Sequence, residues 1–267
     1  MKVLVLLTIL MQSLSLIAQV HDRKGNIYGL WGYNRSVYAQ SDIRFSGLNY
    51  DFIAYDVKAA DFPSEFDPKT RFGINTFSIP QYNYRLGYFI TNSISISAGL
   101  DHMKYVVKNS QEVLVDGFVG EGYGAYSGTY NDRLVPLNSS FFTLEHTDGL
   151  NYVSIEVDKH WLLWCHENNR HMLDWFAGGG LGIMVPRSDV TVFGEPAINV
   201  FHVAGEAVSL QTGFKATFFK HLYLVGTAKA GISRMHDILT TENGGRAQQN
   251  IGWFQGSWQV GYVGKLK

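Results

Sequence analysis

Asp101, His102 and Lys104 stand together in "DHMKY", and His146, Asp148 and Asn151 in "EHTDGLNY", with Ser139 and Ser140 a few residues ahead. A histidine, a carboxylate and a hydroxyl gathered at one place can hydrolyse an ester. The imidazole takes the hydroxyl proton and the carboxylate orients the imidazole. No G-x-S-x-G turn accompanies these residues. His102, His146 and Asp148 are therefore rim candidates only, because polar side chains crowd the rim of every β-barrel. The same three could hold a metal ion, a weaker reading still. The single cysteine, Cys165, argues against a thiolate site. Neither a metal nor a cofactor is expected.

A second set of reactive types is spread wider. Asn83, Arg85, Asp101, Glu156, Asp158, Lys215 and Lys229 all fall on the small, polar register of segments whose other register is apolar. In 81–106 one register reads Tyr82, Tyr84, Leu86, Tyr88, Ile90, then Ile94, Ile96, Ala98, Leu100. The other reads Asn83, Arg85, Gly87, then Ser95, Ser97, Gly99, Asp101. Such period-two alternation is the mark of a strand with one face in each of two environments. It recurs in eight segments, approximately 26–38, 81–91, 94–107, 150–164, 172–185, 206–218, 221–235 and 251–264. No long amphipathic helical pattern occurs.

The connections alternate in length. "TNS", "HENNRH" and "FKH" are short, and the rest are long, above all 39–80 and 108–149. In an up-and-down meander this places every tight turn at one end and every long loop at the other. "SDIRF" and "YDFIAYDV" in the first long loop alternate too, and predict an extension of the sheet, a hairpin, or two further barrel strands. "DGFVGEGYGAYSGTYNDRLVP" in the second reads as a mobile tyrosine-bearing surface loop, with no GK[ST] to make it a phosphate loop.

The amino terminus, "MKVLVLLTILMQSLSLIAQV", has a lysine, a short apolar core and a small-residue tail. This predicts a secretory signal over 1–18 and a mature domain over 19–267. Charged residues are only 17% and net charge is −1, which suits limited water-exposed surface and argues against nucleic acid as a partner.

Two barrels fit this pattern: a soluble one with apolar residues inward, and a membrane one with them outward. The polar register decides. It is mostly Gly, Ser, Thr, Gln and Asn, as in Ser209, Gln211, Gly213 and Thr217, rather than the Lys and Glu of a solvated surface. The expected fold is all-β, an eight-stranded antiparallel up-and-down transmembrane β-barrel with short periplasmic turns and long extracellular loops. With its leader, strand count, loop asymmetry and terminal aromatic strand "IGWFQGSWQVGYVGKLK", the chain resembles the small bacterial outer-membrane barrels of the OmpA/OmpX/OmpW type. It differs in ending on Lys267 instead of Phe.

An eight-stranded barrel is filled by its own side chains. The charges of its polar face must then pair, which predicts an ionic network centred on Arg85 and Glu156; a charged conduit is the alternative. Tyr82, Tyr84, Tyr88, Trp161, Trp175 and Trp258 are expected in interfacial girdles. The functional expectation is a structural or cell-surface interaction role in the outer membrane, as a monomer. The neighbours would be outer-membrane lipid and lipopolysaccharide, with an extracellular ligand possible at loops 39–80 and 108–149. Passage of small solutes is the alternative. The second alternative is a lipid A-modifying hydrolase of the outer leaflet, which the resemblance allows.

Overall fold

The computed structural model describes residues 22–63 and 81–265; the expected signal over 1–18 and part of the first long loop lie outside these. Eight long strands make the barrel: β1 (Asn26–Tyr38), β5 (Tyr82–Phe89), β6 (Ile94–Val107), β9 (Phe142–Cys165), β10 (Met172–Met184), β12 (Gly205–Phe218), β13 (Leu222–Leu239) and β14 (Arg246–Lys265). Each pairs antiparallel with the next, and β14 pairs with β1 from Tyr38↔Trp253 to Asn26↔Lys265, which closes the ring. Six further strands lie outside the ring: β2 (Ser41–Gly47), β3 (Tyr50–Val57), β4 (Ala59–Ala60), β7 (Glu112–Val119), β8 (Gly128–Pro136) and β11 (Asp189–Val192).

Strand pairing fixes the width of the ring. A row of paired residues leaves β1 at Gly29, passes Leu86, Ala98, Ile155, Leu181, Val208, Ile232 and Gly252, and returns at Ala39, the residue after β1, whose N–H donates to the Gly252 carbonyl. That stagger over eight strands implies a tilt of about 40° and a backbone radius of about 8 Å. The row is also the outer surface: Leu86, Ile155, Leu181, Val208 and Ile232 are all exposed. On β12 the outward apolar run from Val208 to Phe218 covers about 25 Å along the barrel axis, the height of a membrane barrel's apolar band. The barrel spans a membrane with its oily face outward.

Near one end the longer strands invert their polarity. On β13 the outward series Leu222, Leu224, Ile232 gives way to Arg234 and His236, while the inward series Thr227, Lys229, Ser233 gives way to Met235 and Ile238. On β9 the inward Ser154, Glu156 and Asp158 lie below an inward Leu144, Leu150 and Tyr152. Above the inversion the strands obey the rule of a water-soluble protein. Their inward apolar side chains form one core with Ile43, Phe45, Phe52, Val113, Val115 and Tyr130 from β2, β3, β7 and β8. These four strands peel off the top of β14 as a sheet and fold over the barrel mouth.

This dome corrects two expectations. Loop 108–149 is not a mobile surface loop but β7, a short 3-10 turn at Gly124–Tyr126, β8 and the upper third of β9. Glycine content suggested a loop, but Gly117, Gly122, Gly124 and Gly128 all take positive φ and serve bulge and turn positions within a sheet. The last long loop is likewise mostly strand: β13 and β14 extend to a turn at 240–245. In 39–80, β2 and β3 form a hairpin outside the ring, so it does not become ten-stranded.

The outward face predicts a depth-dependent cost. Leu210→Arg, at a residue 72% exposed in the band, should lower the unfolding free energy in lipid bilayers by about 2–4 kcal/mol. Leu48→Arg, at a residue 88% exposed on the dome, should change it by less than about 0.5 kcal/mol. Equal effects would refute the placement of the band.

Candidate functional site

The lumen is where the chemically capable side chains meet. Arg85 on β5 lies 2.9 Å from Glu156 Oε1 and 3.3 Å from Asp101 Oδ1. Lys229 on β13 reaches across to the same two carboxylates, at 2.7 Å and 2.5 Å. Asn83 donates to Asp101 at 2.7 Å. Gln211 donates to Glu156 at 2.6 Å and to Asp158 at 2.7 Å. Two cations and two carboxylates thus form a buried square, with Asp158 beside it held by an amide.

Room for these side chains comes from the adjacent strand. "GGGLG" on β10 places Gly178 and Gly180 in the same inward rows as Asp158 and Glu156. A Cβ on Gly178 would lie 2.1 Å from Asp158 Oδ1, and one on Gly180 would lie 2.6 Å from Glu156 Cγ. Glycine is needed here because the carboxylate stems occupy that space.

Toward the short-turn end a second cluster forms. Asp174 on β10 is bound by Arg23 at 2.5 Å and by Lys215 at 3.7 Å. Between the two clusters lie Phe89, Phe176, Tyr223, Val225 and Val263. Lys215 Nζ stands 5.0 Å over the ring of Phe89, near enough for a cation–π attraction. The cavity left in the lumen has a volume of about 50 Å³, room for a few water molecules.

Arg23 is the lumen residue that sequence reasoning missed, since it precedes the first strand. The signal was available in the charge count. The polar registers carry Asp101, Glu156, Asp158 and Asp174 against Arg85, Lys215 and Lys229, one cation too few for a dry interior.

No hydrogen bond or ion pair joins the rim candidates to one another among the described residues. His102 Nδ1 is 2.8 Å from Asn151 Oδ1, and its ring stacks on Tyr82 at 4.8 Å. Asp148 pairs with Arg187 at 3.3 Å. His146 is buried in the dome core beside Tyr105, and neither ring nitrogen has a hydrogen-bond partner among the described residues. No group of three metal-ligating side chains occurs among the described residues. Of the aromatics, Tyr84 and Tyr88 face outward at opposite ends of β5. Trp161 and Trp175 stack at 4.3 Å near the β9–β10 turn. Trp258 lies against Gly226 inside the apolar band, two outward positions in from Tyr262, rather than at its border.

The fold and lumen define a small membrane-spanning β-barrel, ion-paired along its axis and covered at one mouth. No family model matches the chain, and no curated protein matches it. Among solved structures it is similar to the outer membrane protein OprG from Pseudomonas aeruginosa, at 8% identity over 92% of this chain and 99% of that one, with a TM-score of 0.43. It is also similar to Neisserial surface protein A, at 10% identity over 91% and 98%, TM-score 0.34. The attachment invasion locus protein of Yersinia pestis follows at 11% identity over 90% and 99%, TM-score 0.32.

Glu156→Ala should lower the unfolding free energy by about 3–5 kcal/mol, because it strands a buried cation. Adding Lys229→Met should recover most of that loss, since Arg85 and Asp101 then remain as a balanced pair; equilibrium unfolding in micelles measures both. Burial pushes the His146 pKa down to about 3, whereas the unfolded chain protonates it near 6.5. The unfolded state therefore gains the proton first, and stability falls as pH drops below about 6.5, by about 1.4 kcal/mol per unit for this group. Amide protection factors in β7 and upper β9 should fall between pH 7 and pH 5, and His146→Phe should flatten that dependence.

Proposed function

We propose that this protein is a closed barrel of the bacterial outer membrane that anchors an extracellular interaction surface. The short turns face the periplasm and the dome faces outward, with the apolar band against membrane lipid and lipopolysaccharide beside it in the outer leaflet. The chain acts as a monomer, because the ring is complete without a second copy.

The observation that carries this reading is the double closure of the axis. Two ion clusters and a layer of aromatic side chains fill the lumen. Above them the dome core seals the outer mouth with Phe141, Phe142, Phe52 and Tyr130. A solute path would have to break buried ion pairs and open a packed apolar core. What remains for function is the outside: a sheet held rigidly above the membrane.

Planar-bilayer recording tests the closure. Refolded protein whose gel migration shifts on heating should show no stable conductance steps above the bare bilayer. Steady unitary currents from the wild-type protein would overturn the closed reading and restore solute passage.

A further inference from the structure

The dome sheet has two faces, and among the described residues only one of them is covered. The inner face carries Phe45, Phe52, Val113, Val115 and Val135 into the core. The outer face presents Leu114 at 43%, Phe118 at 48% and Leu134 at 55% exposure. Leu114 and Leu134 are paired across β7 and β8. Tyr55 stands one place beyond the Ala54↔Val115 pair, level with Leu114. Isolated exposed apolar residues need no explanation, but a cross-strand pair of leucines with Phe118 four residues along the same face of a sheet above the membrane does.

The surroundings of this group are acidic. Residues 41–57 and 112–136 contain seven carboxylates, Asp42, Asp51, Asp56, Glu112, Asp116, Glu121 and Asp132, against two arginines. Both arginines are engaged. Arg44 is held by Asp51 through two bonds of 2.8 and 2.6 Å, and Arg133 lies 5.2 Å over the ring of Tyr130.

Four of the acids are fixed by the backbone. Asp56 and Asp132 both take left-handed φ, 53° and 48°. The Asp56 N–H donates to Asp42 at 3.0 Å, and the Asp132 N–H donates to Asp116 at 2.6 Å. Each pair sits at a register shift, Ser41/Ile43 in the first case and Val115/Gly117 in the second. Bulges re-aim side chains in this way. Here they hold one carboxylate of each pair, Asp42 or Asp116, in place beside the outer face, where a cationic partner can meet it. Tyr55 senses the same field: its pKa is raised by partial desolvation and then by Asp116, Asp42 and Asp132.

We propose that the outer face of the β2–β3–β7–β8 sheet docks a basic polypeptide segment whose apolar side chains cover Leu114, Phe118 and Leu134 while its lysines or arginines meet the flanking aspartates. This rests on the reading of the dome as an interaction surface and names the chemistry of the partner. Pairing along the edge of β8 is disfavoured, because Pro136 and the Asp132 bulge interrupt that edge.

The test uses the full chain in phosphatidylcholine nanodiscs, with empty nanodiscs as reference. The probe is a peptide alternating Lys and Leu, nine residues long like β8. It should bind loaded discs above empty ones, more tightly than alternating Lys–Gly or Glu–Leu peptides, and more weakly as salt rises. Leu114→Ser with Leu134→Ser, and Asp116→Asn with Asp132→Asn, should each weaken binding about tenfold. Arg133→Glu should tighten it several-fold, which keeps the test decisive where a loss variant fails the heat-shift check of folding. Binding no greater than to empty discs, indifference to all three variants, or preference for the Glu–Leu peptide would overturn the proposal. Bilayer conductance is read separately, so a silent protein that ignores the peptide loses this inference and keeps the closed barrel.

Discussion

Closure of β1 onto β14 is the constraint from which the rest follows. In hydrocarbon no water satisfies a peptide group, so a sheet that crosses a membrane cannot leave an edge. Eight strands at this stagger close the edge at a radius of about 8 Å, which leaves an interior wide enough for side chains and little else. Whatever polar groups line that interior must then satisfy one another. Arg85, Lys229, Asp101 and Glu156 do so as a square, and Arg23 and Lys215 do so around Asp174. The glycines of β10 belong to the same solution, since a narrow ring can hold two bulky carboxylates on β9 only if the facing positions are empty.

The strands are longer than the membrane is thick, and this generates the dome. Once β6, β9, β13 and β14 leave the lipid, water lies outside them and the outward face must become polar. The inward face is then free to be apolar, and Met103, Leu144, Met235 and Ile251 take it. A single strand therefore carries two opposite hydrophobic patterns in series. β2, β3, β7 and β8 supply the other half of the core that the second pattern requires.

The spanning portions were legible in the sequence. The alternation in 94–107 matches β6 from end to end, and 26–38 matches β1. Arg85, Asp101, Glu156 and Lys229 fall on the polar register of the sequence, and in the structure they stand within ion-pair distance of one another. The dome was hard to read for a physical reason: at the inversion the apolar register switches face, often across a bulge, so a continuous strand looks like a strand that ends. Upper β9 and the tops of β13 and β14 look like loops in the sequence on that account. The glycines of 117–128 had the same effect, because positive φ serves a tight bulged hairpin as readily as a flexible loop.

Consecutive residues alone specify a β-barrel with its oily face outward, because side-chain alternation and the length of connections are local properties. Which charges meet, that Arg23 completes the lumen, that no hydrogen bond or ion pair links His102, His146 and Asp148, and that the long connections close into a lid emerge only once the chain is folded. Those outcomes depend on stagger, on the order of strands around the ring and on the folding of one sheet over another. Such relations join residues far apart in the chain, and no short stretch of it carries them.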